Sequence, residues 1–502
     1  MLLEPSTGAG LLLGSCTVLV AIFLLYAHLS DFKQKVPLFY CWLGAIAVLG
    51  GAAAFFLPIA VNSGFKKDDD GSALRQALLY TTGGLLGVIT LGETHRKNNQ
   101  EKEKNENDHT RQVYAERRSR YTKAVEQLAN DKVSVRLGGI YTLVGLVDEW
   151  LADGTLNPEK RQKEGQVIIN NLCAYIRAPF PHAASIEIHE SYQELEELRK
   201  KEPEHLSIDE SWRLQYLIER FKNYTNHQEP DDTVYTNYYE EQDTRRTIFL
   251  EMSKRSSTLK GSTLKEGEDN ERIIVPGPWS IFEFDFTRAP IFYELNDITI
   301  EKGNFSSAAF FGGAYFSNTL FAKDAHFDNV IFASEALFNN AIFAENAYFN
   351  NAYFAQNTYF QNTSFFQNVY FIRAYHTGYT TFDDAIFIQN AEFGGTSFAQ
   401  EVEFKLACFK NYEPAFIDDR GSRARFSARV DAGAHIYNMF LHKDSKPIHF
   451  GTATLLGKSF EIPVGTVLFD PESWDKEKQD YIHSAPAKPL DDSDKVQENK
   501  TE

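Results

Sequence analysis

Between residues 305 and 409 phenylalanine recurs with a fixed metre. It stands at Phe305, Phe310, Phe316, Phe321, Phe327, Phe332, Phe338, Phe343, Phe349, Phe354, Phe360, Phe365 and Phe371, and again at Phe382, Phe387, Phe393, Phe398, Phe404 and Phe409. Steps of five and six alternate, so the true period is eleven, and the single slot without phenylalanine holds His376. Two residues before the slots stand small or β-branched residues such as Ala308, Ala314, Thr319, Ala325 and Val330. Neither a helix of period 3.6 nor a strand of period 2 produces this pattern; a stack of repeated units does. Each A-x-F-x-x unit supplies one short extended side and a turn. Positions two apart in an extended segment face the same way, so the small residue and the ring both point inward. The rings then stack coil on coil, each burying on the order of 150–250 Å², and the sixth residue of alternate units is an extra corner residue.

The break around Tyr375, His376, Thr377, Gly378 and Tyr379 predicts either a core histidine or a bulged coil, with a ligand or pH-sensing role as the alternative. The outward positions of 339–368 are rich in Asn and Gln. Asn suits tight turns and tolerates left-handed dihedrals. The functional alternative is a neutral docking wall decorated by Tyr348, Tyr353, Tyr359 and Tyr370, since tyrosine is favoured at interfaces. A solenoid must hide its open ends. Phe282, Phe284 and Phe286 alternate as in a strand with one buried face, which predicts an N-terminal cap at 281–300 before the β-helix of 301–412. Degenerate coils at Ala424-x-Phe426 and Ala434-x-Ile436, and strands in 448–469, predict a C-terminal cap over 413–469. The polar, charged stretch 470–502 is expected to be a disordered tail.

Pro5 to Ser30 carries no charge, nor does Leu38 to Phe65. About 20 apolar residues span a bilayer core as a helix, so residues 1–92 are expected to form a membrane domain of two or three transmembrane helices. A signal peptide is a poorer fit to the first run, which lacks a basic start. The shorter Ala77–Leu91 is either a third span or an interfacial helix. The basic residues Lys66, Lys67, Arg96 and Lys97 place the C-terminal domains in the cytoplasm for either count. Residues 93–119 form a charged linker or solvated helix. Then comes a helical domain, 120–260, with apolar faces such as Tyr121, Ala124, Val125 and Leu128, and Gly138 and Gly139 to let helices approach.

The segments RYTKAVEQL (120–128), VRLGGIY (135–141) and NLCAYIR (171–177), followed by QDTRRTI (242–248) and by the repeat, resemble bacterial membrane-anchored pentapeptide-repeat proteins of the actinobacterial type. In that family a short helix with an acidic-x-Arg pattern follows the helical region. The resemblance implies a right-handed, four-sided parallel β-helix, hence an α+β multidomain chain; twenty slots at four per coil then give about five coils, a rod of roughly 24 Å at ~4.8 Å per coil. An insertion between NLCAYIR and QDTRRTI, rich in Glu, Lys and Tyr, departs from the family's pattern. It is expected to add two helices packed through Leu195, Leu198, Trp212, Leu214, Leu217 and Ile218.

The four cysteines, Cys16, Cys41, Cys173 and Cys408, have no metal or disulfide spacing, so no metal site is expected. GTATLLGKS (451–459) has five residues between its glycines where a phosphate loop needs four, and no cofactor is expected. No catalytic motif stands out, and the chain is expected not to be an enzyme. With 51 basic and 69 acidic residues the net charge is −18, against general nucleic-acid binding. The expected role is a scaffold at the inner membrane that presents its β-helix to a cytoplasmic protein partner, with self-association open. Two alternatives are a membrane-perturbing stress or phage-defence effector and a DNA-mimicking modulator of a topoisomerase. The repeat is only mildly acidic, which disfavours the latter.

Overall fold

The chain divides into two units, residues 1–116 and 117–502. The computed structural model describes residues 4–29, 38–63, 70–202, 205–206, 208–222, 229–260, 273–430, 437–478 and 480–489. In the first unit α1 (Pro5–Leu29) and α2 (Leu38–Ala60) pack against each other. They are the two helices, among the described residues, long and apolar enough to cross a membrane. The expected third segment and the expected linker are not separate pieces. Both lie in one helix, α3 (Asp70–Leu128), because no proline or turn-forming run interrupts 93–119 and its mixed charges are compatible with a solvated helix. The start of α3 runs antiparallel to α2. Arg75 donates to the carbonyl of Ala54 at 3.2 Å, Gly50 gives room to Thr82, and Lys97 donates to the Tyr40 hydroxyl at 3.2 Å.

In the second unit, α4 (Val133–Ala152), α5 (Pro158–Arg177), α6 (Pro181–Lys200), α7 (Ile208–Phe221) and α8 (Asp232–Ser253) precede the β-structure. Asn157 caps α5 by accepting from the Lys160 amide, with Pro158 in the first turn. Asp231 does the same for α8. Gly139 touches the carbonyl of Ala124, a close helix approach that a Cβ would block, while a Cβ on Gly138 would meet nothing. The expected inserted helices are present as α6 and α7, closed by Leu195, Leu198, Leu217 and Phe221. Leu214 is partly buried there, Ile218 is exposed instead, and the Trp212 side chain lies outside the described residues.

The repeat is a parallel β-solenoid of about six turns with four walls of mostly two-residue strands. Neighbouring strands pair at a sequence separation of 22, as in Ala325 with Ala347 and Ile331 with Tyr353. Two eleven-residue periods thus make one turn. Strands 325–326 and 347–348 lie on the first wall, 331–332 and 353–354 on the second, 336–337 and 358–359 on the third, and 342–343 and 364–365 on the fourth. All nineteen repeat phenylalanines are buried. Rings one turn apart stack nearly parallel, for example 5.0 Å between Phe327 and Phe349 and 4.5 Å between Phe321 and Phe343. Ser307, Asn318, Asn329, Asn340, Asn351, Asn362, Arg373, Asp384 and Leu406 take positive φ in step with the eleven-residue period, so one kind of corner is a left-handed turn. Other outward asparagines act as rungs: Asn346 donates to Asp324, and Asn368 to Asn346.

Two expectations about the ends are corrected. Residues 281–300 are not a separate cap but the first turn of the solenoid. Glu283–Asp285, Pro290–Ile291 and Thr299–Ile300 pair in parallel with the next turn. Glu283 meets Lys302, Pro290 meets Ala309 and Thr299 meets Leu320, separations shorter than the regular turn. The metre is broken there, which is why counting phenylalanines finds one turn too few. The cap is helical. Gln162 donates to the Ile281 carbonyl, and Gln166 both donates to the Glu283 carbonyl and accepts its amide. Phe249 of α8 packs on Phe286 at 4.6 Å, continuing the ring column into the helices. At the other end Arg425–Ser427 continues the second wall, and Phe450–Leu455 and Lys458–Pro463 form a hairpin. Ala434 and Ile436 lie outside the described residues. The first part of the expected tail, as far as Pro489, is built into the cap. Ser484–Pro486 pairs with Val467–Phe469, and Lys488–Pro489 with Gly451–Thr452. Arg429 grips Asp470 at 2.5 and 3.1 Å, so these polar residues have partners that replace water.

Candidate functional site

Among the described residues the solenoid interior is filled by aromatic rings and small side chains. His376 replaces a phenylalanine as a rung, fully buried, 4.4 Å from the Phe354 ring and 5.0 Å from Phe398. There is no bulge, since Tyr375–His376 keeps its pairing on both sides. Its Nδ1 lies 3.2 Å from the Thr380 hydroxyl, while Nε2 is buried without a partner. Burial lowers the imidazole pKa to about 3, because charging it there would forfeit hydration. Its neighbours leave it no contact with solvent. Among the described residues no three His, Cys, Asp or Glu side chains converge as metal ligands, and the four cysteines are free thiols. Cys173 is pushed up to about 12 by burial, so it has little thiolate character.

The outward tyrosines do not form the single wall expected of them. Tyr348 and Tyr370 stack on the first wall at 5.1 Å, Tyr353 stands on the second and Tyr359 on the third. The cause is the length of the turn: slots five or six apart in sequence lie on successive walls. The true ladder on the second wall is Tyr353 with Tyr375, 5.8 Å apart and within 2° of parallel. Stepping the outward positions by whole turns would have found it.

The inserted hairpin α6–α7 lies against this ladder and leaves a cleft of about 790 Å³ between itself and the solenoid. Arg213 holds the two together. It binds Glu194 through three contacts of 2.6–3.0 Å, lies over the Tyr216 ring at 5.4 Å, and donates to the Gln356 amide oxygen at 2.8 and 2.5 Å. Tyr216, Tyr353, Tyr375 and Tyr379 give the cleft its aromatic lining. Burial pushes the Tyr353 hydroxyl up to about 12, and burial together with the bond to Glu403 raises that of Tyr379. Tyr353 and Tyr379 thus stay neutral near pH 7 and give the cleft hydroxyls and aromatic surface, not charge. Glu194, Glu197, Glu210, Glu335 and Glu472 also line the cleft, against Lys201 and Arg213, an excess of three negative charges. At the far end Tyr481 meets Tyr375, hydroxyl to hydroxyl at 3.4 Å. The hairpin and the C-terminal strands thus flank one ladder, and no signal local to either segment announced it.

The QDTRRTI segment is structural. Arg245 is buried, with Nε on Glu241 at 2.7 Å and its terminal nitrogens on the carbonyls of Ile176 and Ala178. It satisfies the orphan carbonyls at the end of α5, while Gln242 and Arg246 donate to the first solenoid turn at Phe292 and Glu294. This motif locks cap to rod.

No known protein family matches the chain, and no curated protein or solved structure matches it either.

Proposed function

We propose that this protein is a non-enzymatic scaffold of the pentapeptide-repeat type, anchored in the cytoplasmic membrane and displaying its solenoid to a cytoplasmic protein partner. The observation that carries the reading is the division of labour in the rod. The interior is given over to stacked rings and small residues, and the outer walls present ordered polar rungs, with Tyr348 and Tyr370 stacked on the first wall. Such a rod has no mobile reacting centre but a rigid surface, which lowers the ordering cost of binding. The anchor rests on α1 and α2: only 6% and 17% of their most apolar windows are buried by protein, an arrangement that water disfavours and lipid favours. Thr82 packs against Gly50 of α2, which sets residues 77–91 beside the two spans.

Affinity purification from native membranes tests this, comparing the intact chain with one in which Phe343, Phe349, Phe354 and Phe360 are replaced by Asp. A discrete partner recovered only with the intact chain supports the scaffold. Recovery of the same partner with the disrupted repeat overturns it. Release of the protein by alkaline carbonate would remove the anchor from the proposal.

A further inference from the structure

We infer that the cleft between α6–α7 and the second wall is the docking site, and that its occupant is an extended peptide segment of a partner carrying Lys or Arg side chains. This deepens the scaffold reading and rests on it. Three observations select this occupant. The volume, about 790 Å³, suits several side chains and not a whole domain. The excess of carboxylates over Lys201 and Arg213 favours positive charge and penalises an acidic peptide. The Tyr353–Tyr375 ladder, with Tyr216 and Tyr379 beside it, lines the cleft with aromatic carbon against which the methylene stems of Lys or Arg can pack while their charged ends meet the carboxylates. Arg213, which bridges Glu194 and lies over the Tyr216 ring, shows a basic side chain seated in this way within the chain. Much of the carboxylate charge is committed, Glu194 to Arg213, Glu210 to Lys201 and Glu472 to Arg429. Glu197, by contrast, is exposed on α6 and is the position at which charge can be reversed without breaking a bridge between elements. The chain's own C-terminal residues 490–502 carry more acid than base, so they do not complement the cleft.

The full-length protein in detergent is titrated into three fluorescein-labelled dodecapeptides, of alternating Lys-Ser, Arg-Ser and Glu-Ser, read by fluorescence anisotropy. Basic peptides are expected to bind and the acidic one not. Raising NaCl from about 0.1 to about 0.5 M is expected to weaken binding severalfold, as screening demands. Thr377→Trp fills the cleft floor and is expected to abolish binding. Glu197→Lys is expected to weaken it about fivefold, and Glu345→Lys on the first wall to leave it unchanged. Circular dichroism and melting of each variant show that the fold is intact. Equal binding of acidic and basic peptides, or basic binding that Thr377→Trp leaves untouched, overturns the inference. If the membrane purification still yields a repeat-dependent partner, the scaffold stands with docking elsewhere; if it does not, the scaffold itself has failed.

Discussion

Replacing His376 with phenylalanine should stabilise the solenoid, and by more as the pH falls. At neutral pH the imidazole leaves Nε2 buried and unbonded, a desolvation cost of about 1–3 kcal/mol. The substitution also gives up the 3.2 Å contact with Thr380, worth about 1 kcal/mol, so the net gain at pH 7.5 is about 1 kcal/mol. The pH dependence is sharper. Burial lowers the folded pKa to about 3 from the ordinary 6.5, so the unfolded chain takes up the proton first. Wild-type stability is whole above pH 6.5 and drains away as the pH falls from there toward 3, by about 1.4 kcal/mol per unit. At pH 5.0 the advantage of His376→Phe should therefore reach about 3 kcal/mol. Other groups titrate in both proteins and cancel in the difference. Hydrogen exchange of amides in 371–398, measured at pH 7.5 and 5.0 and corrected for intrinsic rates, reads the local stability of these turns. A difference between the proteins that does not change with pH would refute the buried neutral imidazole. A destabilised phenylalanine variant would show that the slot needs the nitrogen.

Phe349→Ala removes a ring stacked at 5.0 Å on Phe327 and 4.9 Å on Phe371, and should cost about 3–5 kcal/mol in denaturant unfolding; a loss below about 1 kcal/mol would mean the column is not close-packed. Leu406→Gly relieves a leucine at φ 57 and should raise stability by up to about 1 kcal/mol, whereas Asn340→Val at φ 58 should lower it by a similar amount, both read by thermal melts. Arg245→Ala takes the donor from the carbonyls of Ile176 and Ala178 and leaves Glu241 with Tyr175 and Arg136, and should cost about 3 kcal/mol; limited proteolysis should then cut first between the helices and the solenoid.

The regular part of the rod was legible because one physical requirement, a ring at every inward slot, repeats without exception except at His376. The ends were not, because there the requirement changes. Phe284, Ile291 and Ile300 fill the same interior, but their pairings with Gly303, Phe310 and Phe321 fall short of the regular turn and erase the metre. The polar run after Asp470 looked unstructured because composition reports what a segment can bury by itself. It cannot report that Arg429, or an open strand edge at Val467–Phe469, waits for it. The tyrosine ladder failed to emerge for another reason. Tyr348, Tyr353, Tyr359 and Tyr370 are neighbours in the chain, yet proximity around a coil is set by the length of the turn, which brings Tyr353 to Tyr375. Arg245 was visible as a motif but not as a function, since its task is to satisfy carbonyls at the end of another helix.

The fixed length of the turn also acts as an address. Within the regular turns a residue's wall follows from its number modulo 22, so the surface there changes lawfully when the chain changes length. Loss or duplication of one whole turn would shorten or lengthen the rod while leaving every column on its own face. A change of half a turn, one period of eleven, would preserve each ring slot and corner type, so the core would still close. Everything downstream would nevertheless be turned half a revolution, carrying columns to the opposite wall and parting the tyrosine ladder from the helices beside it. For a lineage of such chains, the core tolerates a half-turn step but the surface tolerates only a full one. Lengths differing by whole turns would mark descendants that kept the same face in use.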